Sequence, residues 1–307
     1  MFTLTKRLLV LATSSCAAAM ALAPAAQAAA PCPNVPEARV LAEGLGSLES
    51  IAINPQGQLY FTDSTNGQLL TLRKPGAKPK VVTDGIDGPG GIVFQKRHVL
   101  VGFGDSLEQG GDGIANPEAG LLRVDPKTGE STIFTEGLQM ANGVARGPGG
   151  TIFASTDFGT GIDRITNRGA DVELNWTELE SPNGLVVDSK RKYLYAAQTF
   201  TSSAIQRISL DDPTDVTPAY VAPPAEAGGG FDGLARDAQD TLYVAANLGG
   251  QILKITGPDT SCSLAELPRF PLGPSALFFG RGDGKFDHDS LFVVTFGGQL
   301  IELPNAR

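Results

Sequence analysis

Six stretches of this chain follow one plan. They read "LESIAINPQGQLYFTD" from residue 48, "PGGIVFQKRHVLVGFGD" from 89, "ANGVARGPGGTIFASTD" from 141, "PNGLVVDSKRKYLYAAQT" from 182, "FDGLARDAQDTLYVAAN" from 231 and "PSALFFGRGDGKFDHDSLFVVTF" from 274. A unit of about forty to fifty residues that recurs in this way leaves few folds open. Each copy must be one supersecondary unit that buries its apolar face against its neighbours.

Within a unit the pattern is four short strands. An apolar run comes first (residues 51–54 or 185–187), followed by a polar turn such as "PQGQ", "GPGG", "DSKRK" or "DAQD". The second strand is aromatic or β-branched ("LYFT", "TLYVAA"), the third alternates ("GQLLTLR", "GQILKIT"), and the fourth is more polar ("KPKVVTD", "ESTIFTEG"). Short strands punctuated by Gly, Pro, Asn and Asp mean an all-β chain, and no helical period is visible outside the first 28 residues. Four strands per unit of this length describe a β-propeller blade. The last copy stops at "GQLIELPNAR" after three strands, whereas "EARVLAEGL" at 37–45 matches the outer-strand phrases of other units. The expected architecture is a six-bladed β-propeller over residues 29–307, a single domain whose N-terminal strand completes blade six and so removes an exposed edge.

The first 28 residues read differently. Lys6 and Arg7 precede an apolar stretch over 8–23, and "AQA" at 26–28 has the small-x-small form of a signal-peptidase site. This is a secretory signal by pattern, and the mature chain is expected to be periplasmic or secreted. The stretch is too short and Ala-rich for a retained transmembrane helix, and no later segment is apolar enough to span a bilayer. Cys16 does not make a lipobox, because Thr13 stands where Leu is usual. Removing 1–28 takes away two positive charges and moves the net charge from −9 to −11. Such acidity argues against nucleic acid or an anionic membrane as partner and suits a site that attracts cations. Cys32 and Cys262 remain. In an oxidising compartment they are an expected disulfide, with Cys32 outside blade six and Cys262 in the outer segment of blade five. A propeller needs no partner to fold, so a monomer is expected.

Aligning the six copies places one column at the head of each innermost strand: Glu49, Gly90, Asn142, Asn183, Asp232 and Ser275. Innermost strands of a propeller run parallel around the axis, so these positions converge at one end. Two carboxylates and two amides among them form a hard, acidic oxygen set of the kind that selects Ca²⁺, with Mg²⁺, Mn²⁺ or Zn²⁺ as alternatives. The competing explanation is conformational, since Asn-Gly and Asp-Gly are common hairpin turns. A second set, Asp63, Asp105, Asp157, Gln198, Asn247 and Thr295, closes the second strands beside the same end and supplies candidates for substrate contact or support. His98 and His288 map to the opposite end, near turns. "GGDG" at 110–113 and "GDGKFDHD" at 282–289 look like fragments of calcium loops without the full spacing and are expected to be plain loops.

With Glu in blade one, Asn-Gly in blades three and four, and Asp-Gly in blade five, the register resembles the SMP-30/gluconolactonase/LRE-like family of six-bladed propellers. The phrases "SPNGLVVD" at 181–188 and "FDGLARDAQDTLYVA" at 231–245 carry the resemblance most strongly. It implies a divalent cation held by Glu49, Asn142, Asn183 and Asp232, hydrolysis of a small-molecule lactone or ester, and Asp232 as base or nucleophile. Sugar-lactonase members tend to carry an Arg two residues before the blade-three Asn and an Asp after it, where this chain has Met140 and Gly143. Two other functions are compatible with the repeat: a binding propeller with a structural calcium, and a metal-free enzyme similar to strictosidine synthase. The latter needs a Glu in blade six, where Ser275 stands.

Overall fold

The computed structural model describes residues 28–224, 226–282 and 285–307. All of the expected signal segment except Ala28 lies outside them. Six four-stranded antiparallel sheets form a six-bladed β-propeller. The innermost strands are Leu48–Ile53, Ile92–Gln95, Val144–Arg146, Pro182–Val187, Phe231–Arg236 and Pro274–Phe279. Each lies against the next, and the sixth lies against the first. Strand Arg39–Ala42 pairs antiparallel with Leu300–Leu303, so the N-terminal strand does complete blade six.

Alternation along the strands explains how the blades stack. Each inner and second strand sends residues to both faces, and the core therefore lies between adjacent blades. At the closure, Leu48, Ile53, Phe61 and Leu72 of blade one pack with Phe286, Phe292, Val294 and Leu300 of blade six, all 5 % exposed or less. Burying each such side chain contributes about 1.5–3 kcal/mol, which is what holds the two ends of the chain in one ring.

The N-terminal segment does more than complete blade six. Before reaching it, the chain runs along the outer strand of blade five, Thr260–Glu266. Ser263 N donates to Ala30 O, Cys32 N donates to Ser263 O, and a disulfide joins Cys32 to Cys262 with Cα atoms 4.8 Å apart. The segment thus fastens blade five to blade six.

One local expectation is corrected. The "GGDG" stretch is helical rather than a plain loop: α1 (Leu107–Asp112) and a 3-10 turn (Gly113–Ala115) fill the connection between the second and third strands of blade two. Ser106 Oγ caps α1 by accepting from Gln109 N at 3.2 Å. Six residues are too few for a helical period to register in sequence. Strands Thr160–Thr166 in blade three and Thr260–Glu266 in blade five also form where the repeat supplies no clear phrase.

Candidate metal centre

The inner strands all begin at one end of the ring, here called the upper face. At that end the pairing of inner and second strands slips, between Leu48 and Ile51, Pro182 and Leu185, Phe231 and Leu234, and Pro274 and Ala276. Glu49, Asn183, Asp232 and Ser275 fall inside these irregularities, whereas Gly90 and Asn142 stand just before their inner strands. A bulge bends the strand and re-aims a side chain, which is how Glu49, Asn183 and Asp232 turn toward the axis instead of alternating into the core.

The glycines that follow have a different role from a hairpin turn. Gly143 and Gly184 do not adopt positive φ. A Cβ on Gly143 would stand 2.1 Å from Asn183 O, and one on Gly184 would stand 2.5 Å from Asp232 O. Gly91 and Gly233 meet the next inner strand in the same way. The glycine lets neighbouring inner strands close on one another, and that approach brings the preceding side chains together. Hydroxyl groups then latch the ring: Ser155 Oγ donates to Asn183 O, Thr199 Oγ1 to Phe231 O and Ser275 Oγ to Leu48 O, each at 2.6 Å. Ser275 is therefore engaged in closing blade six onto blade one.

Four side chains of the column remain free to act together, and the second set divides around them. Asp105 and Asp157 join the cluster: Asn142 Nδ2 donates to Asp105 Oδ1 at 3.2 Å, and Asn183 Nδ2 lies 3.5 Å from Asp157 Oδ2. Asn247 supports it, donating from Nδ2 to Asp232 Oδ2 at 3.2 Å and to Pro274 O at 3.1 Å. Asp63 and Gln198 stand apart. Asp63 caps a turn by accepting from Gly46 N, Asn66 N and Asn66 Nδ2. Gln198 binds Glu180 O, Ser202 and Gln206. Thr295 Oγ1 accepts from Gln299 N in its own turn.

Electrostatically the cluster is unbalanced. Asn142, Asn183, Asp157 and Asp232 are buried, while Glu49 and Asp105 are half-buried. Desolvation pushes the Asp105 carboxyl up to about 7. It pushes Asp157 up to about 8, helped by the charge on Asp105. Glu49 and Asp232 are raised well above the usual carboxylate range, first by burial and then by the other carboxylates. Burial is the largest cause of all four shifts, and for Glu49, Asp157 and Asp232 the neighbouring carboxylates come next. Asp157 Oδ1 is buried without a hydrogen-bond partner, as is the neighbouring Thr156 Oγ1. Crowded carboxylates that raise one another and an orphaned carboxylate oxygen fit a hard divalent cation, which would supply positive charge and coordination.

Below the cluster a cavity of about 530 Å³ follows the axis, lined at its upper end by Glu49, Asn142, Asn183 and Asp232 and lower down by Arg146, Arg236 and Arg281. His288 sits in the lower region beside Asp287 and Asp289, with Nδ1 3.0 Å from Asp287 Oδ1, on the exposed surface. His98 begins the second strand of blade two at the same end.

Comparison with known proteins agrees with this architecture. A gluconolactonase from Xanthomonas campestris superposes with a TM-score of 0.68 at 18 % identity, covering 91 % of this chain and 98 % of that one. A calcium-binding protein, regucalcin, from Agrobacterium tumefaciens strain C58 gives 0.65 at 18 % identity, covering 90 % and 95 %. A luciferin-regenerating enzyme gives 0.65 at 14 %, covering 88 % and 95 %. At these identities the likeness shows the fold. No curated protein matches the sequence. The model of the SMP-30/gluconolactonase/LRE-like region, however, matches residues 49–296, a span that runs from the first carboxylate of the cluster to the end of the second strand of blade six, and the chain belongs to that family.

Proposed function

We propose that this protein is an exported, monomeric hydrolase of lactones or related esters that depends on a divalent cation, calcium being the best fit. The observation that carries the proposal is the convergence of Glu49, Asn142, Asn183 and Asp232 with Asp105 and Asp157 in one cluster of oxygen-bearing side chains at the mouth of the axial cavity. The family's name and the gluconolactonase and regucalcin neighbours support a lactonase-type enzyme with a bound cation. The Cys32–Cys262 disulfide supports export.

Glu49, Asn142, Asn183 and Asp232 would hold the cation, with Asp105 and Asp157 beside them. When bound, it supplies Lewis acidity toward a carbonyl oxygen. The chain's own groups do the rest. Asp232 lies buried with one oxygen fixed by Asn247, a geometry that keeps the carboxylate oriented for taking a proton from water or attacking a carbonyl carbon. The glycine-tightened ring keeps the four side chains at fixed spacing, so little reorganisation accompanies reaction.

The test is metal content together with hydrolysis of a panel of lactones and aryl esters before and after chelation. About one calcium per chain, with turnover lost on chelation and restored by calcium, is the expected result. Asp232→Asn should lower turnover by several orders of magnitude while the far-UV spectrum stays native. Near-normal turnover in that variant removes Asp232 from the chemistry. Because the candidate ligands come from four different blades, a purely structural cation is the second reading. Bound calcium without turnover on any substrate favours it.

A further inference from the structure

The upper face is unusual in two respects that bear on what reaches the cluster. Leu107, Phe158, Phe200, Leu248, Phe270 and Leu272 are exposed, Phe200 by 56 % and Phe270 by 61 %. All six lie in segments that join second to third strands or one blade to the next, which are the upper-face connections. Exposed Val35, Val40, Val81, Ile133 and Val221 are instead scattered over the outside of the ring. Isolated apolar residues are normal on a surface, whereas contiguous ones mark binding sites, and Phe158 and Phe200 are in direct contact.

This apolar surface is built against the cluster. Phe158 follows Asp157 directly, and its ring stacks on Phe200 with centroids 5.2 Å apart and planes 17° from parallel. Helix α1 lies over the same corner. A Cβ on Gly110 would stand 2.9 Å from Phe158 Cβ and 3.0 Å from Met140 Sδ, so the glycine lets α1 settle onto both. Met140, two residues before Asn142, is fully buried there. The exposed apolar surface beside Asp157 is therefore Phe158 with Phe200, supported from beneath by Met140, and neither ring can donate a hydrogen bond to a hydroxyl group.

Charge adds a second constraint. The upper-face connections contain a single basic residue, Arg269, against Glu43, Asp84, Asp87, Glu108, Asp112 and Glu118 among others. At the other end the turns between first and second strands are mixed, with Lys96, Arg97, Lys190, Arg191 and Lys192 beside Asp188, Asp237, Asp240, Asp287 and Asp289. The acidic field of the upper face raises the local concentration of cations and lowers that of anions.

We propose that the site takes uncharged lactones or esters bearing an apolar tail or ring, which lies on the Phe158–Phe200 stack beside the carboxylate cluster. Polyhydroxylated lactones are disfavoured because their hydroxyls lose water without gaining partners on that surface. Anionic lactones are disfavoured by the acidic connections. This rests on the hydrolase reading of the same cluster, and the test separates the two.

The calcium-loaded protein is given γ-butyrolactone, γ-hexalactone, γ-nonalactone and γ-undecalactone, with D-glucono-1,5-lactone and γ-carboxy-γ-butyrolactone as comparison. In parallel, binding of the matching γ-alkyl-γ-lactams, which resist hydrolysis, is followed by calorimetry. Both kcat/KM and lactam affinity should rise about two- to fourfold per added methylene until the tail outruns the aromatic stack. Phe158→Ala and Phe200→Ala should each flatten that slope, and both positions are exposed enough for the fold to survive. Hydrolysis that ignores tail length, or that prefers the gluconolactone, overturns the substrate class and leaves the hydrolase standing. Lactam affinity that rises with tail length in a protein hydrolysing none of the lactones upholds the ligand class and removes the hydrolase. Lactam affinity independent of tail length, with the two Phe variants unchanged, overturns the inference outright.

Discussion

Asp157→Asn removes one carboxylate from a cluster that has four, while keeping the size and shape of the side chain. Burial and the charge of Asp105 raise the Asp157 carboxyl from 3.8 to about 8 in the folded protein. The folded state therefore binds more protons than the unfolded chain between those values, and stability falls as pH rises through that window. Below about pH 4 both states are protonated and the cost vanishes. Taken alone, the full shift costs at most about 6 kcal/mol above pH 8, at about 1.4 kcal/mol per unit. The cost is shared with coupled neighbours, so removing one partner should recover about 2–3 kcal/mol of it. For a domain of this size that is about 5–10 °C in Tm. Trp176, the sole tryptophan, is buried and packs on Phe153 with centroids 4.7 Å apart, so its emission reports unfolding of blade three. Melts in chelator should show Asp157→Asn several degrees above wild type at pH 8.5 and level with it near pH 4. Saturating calcium should reverse the order at pH 8.5, because only the wild type gains fully from binding. A variant no more stable than wild type in chelator at pH 8.5 would refute the reasoning, and so would an equal gain at both pH values.

Three further changes separate ring geometry from ligand chemistry. Gly184→Ala places a Cβ 2.5 Å from Asp232 O; it should cost about 2–4 kcal/mol and weaken calcium binding measured by calorimetry, although residue 184 supplies no ligand atom. Ser275→Ala removes the bond to Leu48 O, and a melt should show a loss of about 1 kcal/mol with calcium stoichiometry unchanged. Replacing Cys32 and Cys262 by Ser opens a link across 230 residues of chain. The chain-entropy argument allows up to about 5 kcal/mol for a loop of that length, so Tm should drop clearly while calcium affinity holds.

Sequence made the blades legible because every copy repeats the same apolar period, and a ring needs each copy to serve as its neighbour's core. The N-terminal strand could be placed in blade six from its likeness to other outer strands, a match of pattern over nine residues. Other elements lacked such redundancy. α1 is too short to show a period and depends on one cap, Ser106. The contacts of residues 30–32 with Ser263 are backbone bonds in a single copy, which no side-chain pattern announces.

The site divides along the same line. Glu49, Asn142, Asn183 and Asp232 stand in one column because repeat symmetry projects a column onto the axis. Symmetry does not distinguish Asp105 and Asp157 from Asp63, since all three end second strands. What separates them is local. Asp63 finds three donors in its own turn, whereas Asp157 Oδ1 finds none and Asp105 meets only the side chain of Asn142. An acid with its own donors is a cap, and an acid left without them in a buried ring destabilises the fold until something cationic arrives. The glycines follow the same logic. Asn-Gly and Asp-Gly look like turns in isolation, but here the glycine removes the Cβ that would hold neighbouring inner strands apart. The chain thus uses close backbone approach, bulges and hydroxyl latches to bring like charges together, an arrangement unfavourable for an empty ring and suited to one that binds a dication.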